Sequence, residues 1–267
     1  MRALLLGLLI LPLWASASLR LVVMDVGEGQ AVLLAQGAHG ILVDTGHPGK
    51  ARHVLERLKA HGVERLDALF LTHLHPDHAG GYFRLREAFP EVPVMDSGHP
   101  FPPGQVPDLT RWVAEALAED PLRRVIRAGE TIPWRGVTIE VLWPEAPQGA
   151  DLNRHSLVLW VRYGASSALI MGDADAAVER ALAPKLRPVT VLVAGHHGAG
   201  DAGDDVFLKT VRPEVAVISV NRGNIRGYPD PGTIERLKEA SGKLLRTDED
   251  GEVCLVLHRD GALSPCP

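Results

Sequence analysis

Leu71-Thr72-His73-Leu74-His75-Pro76-Asp77-His78-Ala79-Gly80-Gly81 is the stretch that decides how the rest of the chain is read. Three histidines and an aspartate fall within six residues, directly after the apolar run 68–71. That run reads as a buried strand, so the cluster sits where a strand opens into a loop. Imidazole and carboxylate together are the ligand set of borderline metals such as zinc. His73 and His75 are two apart, and an extended backbone throws both side chains to one side. Asp77 and His78 follow a proline that bends the chain, which lets them face a second ion. Gly80 and Gly81 leave room for close backbone approach as the next helix begins.

The N-terminal residues read as an address rather than as part of the fold. Met1 and Arg2 give a positive start, 3–14 is apolar and uncharged, and Ala15-Ser16-Ala17 has the small-x-small pattern of a signal-peptidase site. Residues 1–17 are therefore expected to be a signal peptide, the alternative being a retained anchor, although the run is short for a membrane span. No later stretch is apolar enough to cross a bilayer. The mature chain is expected to be exported, to periplasm or medium, without stable membrane insertion. Residues 18–267 suffice for a single large domain. A formal net charge of −5 argues against a basic nucleic-acid face in bulk, so any such contact must be local. The two cysteines, Cys254 and Cys266, lie outside any ligand-like cluster. An exported chain can join them to pin the C-terminal tail, or leave them free.

Strands are expected at 19–25, 31–35 and 40–44, then a helix from Pro48 to Lys59, the strand 68–71, a helix over 82–89 and a strand at 92–95. Asp108 is placed to cap a helix carrying Leu109, Trp112, Val113, Ala116 and Leu117 on a core-facing stripe. The second half restarts with strands at 131–133, 137–142, 156–163 and 168–171. It continues with a helix over 174–182, a strand at 189–193, a helix over 204–210 and a strand at 215–220. A helix over 233–240 and strands at 243–246 and 253–258 complete it. Each half gives several strands and then strand–helix alternation, so the expected class is α/β, an αββα sandwich of two facing mixed sheets with helices outside. That architecture lines up strand-end loops from both halves along one edge.

Other ligand candidates lie at such ends. Asp173, in Met171-Gly172-Asp173, is placed either to cap the next helix or to bridge two metals. In Val193-Ala194-Gly195-His196-His197-Gly198 a buried strand runs into paired histidines that must point in different directions, so one can bind metal while the other faces substrate. His155 lies one residue before a strand, where it completes a ligand set or is an ordinary loop-end histidine. His39, His47, His53, His61, His99 and His258 read as structural or solvent-facing. Arg222 and Arg226 flank Asn224 in a glycine-containing loop after a strand, where either arginine can grip a phosphate or stay solvated.

With these motifs in order, the chain resembles the metallo-β-lactamase fold superfamily, whose H-x-H-x-D-H is met by 73–78. More narrowly it resembles the C-terminal metallo-β-lactamase-like domain of ComEC-type DNA-uptake competence proteins. The segments carrying this are 24–31 (M-D-V-G-E-G-Q-A), 43–46 (V-D-T-G), 153–159 (N-R-H-S-L-V-L), Gly172-Asp173, 196–198 (H-H-G), 217–220 (V-I-S-V) and 246–248 (R-T-D). Three departures stand out. Gln30 replaces an acidic residue, Ala199 a serine, and Tyr228 the histidine of a G-H-P.

The resemblance implies two divalent ions, zinc by default, with manganese or iron admitted by a carboxylate bridge. His73, His75 and His155 would hold one ion, and Asp77, His78 and His196 the other. Asp173 would bridge them, with Asp25 and Asp44 behind the ligands or structural. Asp77 would also orient the attacking water, and His197 would donate to the leaving oxygen. Arg222, Asn224 and Arg226 would meet substrate. The implied activity is that of an exported hydrolase or nuclease acting on phosphodiesters, DNA above all, with a ComEC-like uptake channel as partner. The alternatives are a secreted phosphorylcholine-type esterase, lactonase or β-lactamase, or a non-catalytic binding module of an uptake assembly.

Overall fold

The computed structural model describes residues 18–98, 106–146 and 151–267; the expected signal peptide lies outside the described residues. The first half forms β1 (Leu19–Val23), β2 (Val32–Gln36), β3 (His39–Val43), β4 (Arg65–Leu71), β5 (Val94–Asp96) and β6 (Arg123–Val125). The second forms β7 (Thr131–Trp134), β8 (Val137–Trp143), β9 (Val158–Tyr163), β10 (Ser166–Ile170), β11 (Val191–Val193), β12 (Val215–Ile218) and β13 (Lys243–Arg246). β14 (Val253–Leu257) and β15 (Leu263–Pro265) end the chain.

β1, β2 and β3 are joined by short loops and pair antiparallel. From β3 onward the neighbours are parallel, so each connection must cross the sheet, and it does so through helices. These are α1 (Ala51–Ala60), then α2 (Pro76–Ala79) with α3 (Tyr82–Ala88), then α4 (Asp108–Glu119). The second sheet repeats the scheme. β7 to β10 form an antiparallel meander, and β10 to β13 are parallel through α5 (Ala176–Leu182), α6 (Asp205–Val211) and α7 (Pro231–Ala240). A short α8 (Thr247–Asp250) follows β13.

The strand pleat sorts side chains between layers. Leu21, Val23 and Phe70 face Val161, Ile170 and Val193 between the sheets. Val22, Met24 and Leu69 pack outward on Val54, Leu58, Leu85, Val113 and Leu117. On the other sheet Leu169, Leu192 and Ala216 do the same against Val178, Leu182, Phe207 and Leu237. The result is the αββα sandwich.

Some expectations give way. β14 leaves the second half and pairs with β1, giving the first sheet the order β15-β14-β1-β2-β3-β4-β5-β6. Periodicity cannot report such a crossing, because 253–257 is apolar enough for either sheet. β6 is missed because Arg123-Arg124-Val125 has no strand-like alternation; Arg123 Nε donates to Asp96 Oδ2 at 2.6 Å across the parallel pair. Pro107, not Asp108, is the cap residue of α4. On that helix Thr110, Val113 and Leu117 are buried while Trp112 is 51% exposed. Asp175, rather than Asp173, caps α5, accepting the N–H groups of Ala177 and Val178.

Cys254 and Cys266 are joined, and the Cys266 N–H donates to the Cys254 carbonyl beside the bridge. The bridge ties β15, a three-residue edge strand, to β14. Cys266→Ser is expected to cost about 2–3 kcal/mol, as for a loop of this length. Urea unfolding with and without reductant reads this out; equal midpoints would mean that the bridge constrains nothing.

Glu179 on α5 is 1% exposed and accepts the N–H groups of Gly203 at 3.0 Å and Asp204 at 2.6 Å. Burial pushes its carboxyl up to about 7 from an ordinary 4.5, against those two hydrogen bonds. The folded state therefore holds the proton more tightly than the unfolded chain does. The associated stability is present below pH 4.5 and is lost as pH rises through 7. Urea unfolding should show the advantage of wild type over Glu179→Gln shrinking between pH 5 and pH 8, by on the order of 2–3 kcal/mol. A pH-independent difference would refute the assignment.

Candidate metal centre

Parallel strands all end on the same side, and open α/β sheets place their sites beyond those carboxyl ends. Here both sheets do so along one shared edge. Asp44 follows β3, the 73–78 cluster follows β4, Asp173 follows β10, His196 and His197 follow β11, and Ser219 follows β12. Asn153, His155 and Ser156 lie just before β9, which runs antiparallel to β10 and so starts at the same edge.

Two groups of side chains converge there. His73, His75 and Asp173 bring one ligand atom each within 4.8 Å of one another, as do Asp77, His78 and His197. Asp173 spans the groups. Its Oδ2 lies 3.7 Å from His73 Nε2, and its Oδ1 lies 3.0 Å from His78 Nε2 and 3.4 Å from His197 Nε2. His196 and His155, assigned as ligands from the sequence, belong to neither group. His155 is buried in the turn before β9.

The backbone sets which of the two adjacent histidines joins the second group. Both residues are left-handed, with φ of 46° and 53°, a conformation that costs roughly 1–2 kcal/mol for each non-glycine residue. The turn carries the His197 ring under the sheet edge, where its Nδ1 lies 2.9 Å from the Ser219 carbonyl. His196 goes outward, its Nδ1 2.8 Å from Asp201 and its Nε2 3.2 Å from the Asn153 amide, with the Tyr228 ring at 5.4 Å. The His197 ring, expected from sequence to donate to a leaving oxygen, here stands inside the second group, 3.6 Å from Asp77 Oδ2 and 3.4 Å from Asp173 Oδ1.

The partners behind the ligands set the tautomers. Asp44 accepts His78 Nδ1–H at 2.7 Å, the Thr72 N–H at 2.7 Å, the Thr72 hydroxyl at 2.8 Å and the Gln30 amide at 2.9 Å. With its hydroxyl hydrogen given to Asp44, Thr72 can accept His73 Nδ1–H at 3.2 Å. Ser156 Oγ accepts the Asp173 N–H at 3.0 Å and lies 3.3 Å from His73 Nδ1. Gln30 supplies a donor to Asp44 where an acid would oppose it. Asp25 accepts the Gly27 N–H and shapes its own loop. Asn153, Ser156 and Asp201 thus orient the site. The N-x-x-S segment hinted at the first two, and nothing local marked Asp201.

The donor set fits metal ions. His78 and His197 donate through Nδ1, which turns their Nε2 atoms toward each other at 3.3 Å, an approach that a shared proton or a cation satisfies. His73 Nε2 and His75 Nδ1 meet at 3.0 Å. Asp77 Oδ2 and Asp173 Oδ1 are buried and face imidazole nitrogens, at 3.6 Å from His197 Nε2 and 3.0 Å from His78 Nε2, which is costly unless a cation or proton lies between them. The charge balance agrees. Burial opposes charge on His78 and His197, yet Asp173 beside both, with Asp44 for the first and Asp77 for the second, holds them above the usual imidazole range. Burial and the His78 charge push His73 down. Burial also works against ionisation of Asp77 and Asp173, but the facing imidazoles hold both below the usual carboxylate range. These are negative pockets that take up protons when nothing else is bound, and metal binding would displace those protons.

A cavity of about 320 Å³ opens beside one residue of each group, His75 and Asp77, and is lined also by Glu28, His47, Pro107 and Arg226. Of the three expected substrate residues only Arg226 reaches it. Arg222 donates to the Asp248 carbonyl, and Asn224 bonds within its own loop. A second cavity of about 360 Å³, lined by Val215, Leu245 and Leu255 among others, contains none of the candidate ligands.

An αββα sandwich with two histidine–aspartate groups at the carboxyl edges of both sheets defines a class, a two-sheet scaffold whose clustered side chains are consistent with a binuclear metal site. The family model for the metallo-beta-lactamase superfamily matches residues 24–220, and the chain belongs to that superfamily. It is 31% identical over 242 residues to Recombination protein 2 of Haemophilus influenzae, covering 89% of this chain and 29% of that one. It is 32% identical over 243 residues to Competence protein ComA of Neisseria gonorrhoeae, covering 90% and 32%. The chain thus spans about a third of the length of the curated relatives it matches. Among solved structures it is similar to the metallo-beta-lactamase fold protein YhfI from Bacillus subtilis, with a TM-score of 0.58, 14% identity and coverage of 85% and 95%.

Proposed function

We propose that the protein is an exported, binuclear metal-dependent hydrolase of phosphodiesters, with DNA as the substrate. The observation that carries hydrolysis is the pair of largely buried histidine–aspartate groups spanned by Asp173, with carboxylate oxygens turned inward on the imidazoles. Relatives named for competence and recombination support DNA. Export is supported by the apolar stretch 3–14 followed by Ala15-Ser16-Ala17, and by the Cys254–Cys266 bridge, a feature of oxidising compartments. Among the described residues no helix is long and apolar enough to cross a membrane.

His73, His75 and Asp173 would hold one ion and Asp77, His78 and His197 the other, zinc by ligand chemistry, with manganese or iron admitted by the carboxylate bridge. When bound, such a pair acidifies water and offsets the charge that develops on the ester oxygens. The remaining work falls to the chain. Asp77 Oδ2 can accept a hydrogen bond from the attacking water and hold it in line with phosphorus. Asp44 and Ser219 keep His78 and His197 in the tautomers that turn Nε2 inward. Arg226 at the mouth can take a non-bridging phosphate oxygen with a charge-assisted hydrogen bond.

Purified metal-loaded protein should cleave single- or double-stranded DNA and bis-p-nitrophenyl phosphate. Turnover of a lactone, p-nitrophenyl phosphorylcholine or a cephalosporin without the diesters would assign the same scaffold to ester or lactam hydrolysis. Bound metal with no turnover across the panel would make the protein a binding module of an uptake assembly.

A further inference from the structure

The rim of the cavity carries an ion pair that hydrolysis itself does not need. Arg226 Nη2 lies 3.1 Å from Glu28 Oε1, with 52% and 36% of the two side chains exposed. Both line the opening together with His75 and Asp77. They come from distant parts of the sequence: Glu28 from the loop between β1 and β2, Arg226 from the loop after β12.

The position of Glu28 is over-determined. It sits between Gly27 and Gly29, at φ of 72° and 106°, and is the side chain that this tight turn projects. Ser219 Oγ donates to the Gly29 carbonyl at 2.7 Å, and the Gln30 N–H donates to the Asp77 carbonyl at 3.1 Å. A Cβ on Gly29 would lie 1.9 Å from that same Asp77 oxygen, so the turn is packed directly on the ligand-bearing helix. The opposite loop is braced as well. Asn224 Oδ1 accepts the Arg226 N–H at 2.7 Å, Asn224 Nδ2 donates to Asn221 at 2.8 Å, and Arg222 holds the Asp248 carbonyl at 2.9 Å. Two hydrogen-bonded loops therefore lay a guanidinium against a carboxylate at the entrance to the candidate metal ligands.

A guanidinium at such a mouth is a natural phosphate ligand. Here the carboxylate of the same chain already occupies it. We propose that Glu28 determines specificity by holding Arg226 as an internal anion, which an incoming phosphate group must displace and which reclaims the arginine when a phosphate leaves. Free phosphate and phosphate-bearing products then lodge poorly at the mouth, and neutral esters meet no competitor. This inference rests on the reading of the site as a phosphodiesterase and names how its mouth is regulated.

The test is calorimetric titration of inorganic phosphate into the metal-loaded protein, beside kcat/KM for bis-p-nitrophenyl phosphate and for a neutral lactone. Glu28→Gln, which keeps the shape and removes the charge, should tighten phosphate binding about fivefold, the factor corresponding to an ordinary half-exposed ion pair. It should also raise the diester-to-lactone ratio of kcat/KM by a similar factor. In an Arg226→Ala background the same change should have no effect, because there is no arginine left to release. An unchanged phosphate affinity in Glu28→Gln would overturn the proposal. So would a gain of equal size in the Arg226→Ala background, which would show general charge repulsion instead. Should the wild type cleave no diester, the phosphodiesterase reading fails while the phosphate titration still decides the role of Glu28.

Discussion

His197→Ala is expected to lower bound metal from two ions per chain to one and to cut diester turnover on the order of 10³-fold, the scale of losing an electrostatic group at a reaction centre. The neighbouring His196→Ala is expected to keep both ions. The contrast follows from where the two rings point. His197 Nε2 lies 3.3 Å from His78 Nε2 and 3.6 Å from Asp77 Oδ2, inside the second group. His196 is turned to Asp201 and Asn153. Elemental analysis of both variants after dialysis against trace metal decides the matter. Loss of an ion from His196→Ala with both retained in His197→Ala would restore the order of ligands expected from sequence.

Asp173→Asn should be more damaging still, because a single carboxylate addresses both groups. The amide would keep its volume but replace one acceptor with an NH₂ aimed at an imidazole lone pair, at distances now 3.0 Å to His78 and 3.7 Å to His73. Both ions should be lost and diester turnover should vanish into background. Stability supplies an independent readout. For wild type, metal at a hundred times its Kd raises unfolding free energy by about 2.7 kcal/mol, and for Asp173→Asn this gain should disappear. The metal-free variant is expected to be less stable than metal-free wild type at neutral pH, since it loses the carboxylate that the His78 and His197 imidazoles hold ionised. A metal-dependent stability gain equal to that of wild type would show that Asp173 is not shared between the ions.

Much of the site was readable because it is local. His73, His75, Asp77 and His78 lie within six residues, so strand alternation and one proline suffice to predict that they converge. What the pattern left open depends on torsions or on distant partners. His196 and His197 are equivalent to any pattern argument, and only two successive left-handed residues separate them. Asp173 could equally have capped α5 until Asp175 took that role. Arg222, Asn224 and Arg226 look alike as loop polars, but the first two are consumed in bracing their own loop.

By itself, the amino-acid order determined the layers, the edge on which the candidate ligands gather and the residue types suited to hold a metal. Periodicity records which face of a strand or helix is buried, and ligand chemistry is carried by residue type. Only the tertiary structure decided that β14 closes the first sheet, that Trp112 faces solvent, that His197 rather than His196 enters the cluster, and that Glu28 meets Arg226 at the mouth. Each of these depends on which remote segments become neighbours, and burial patterns along a single strand carry no record of the partner across the gap.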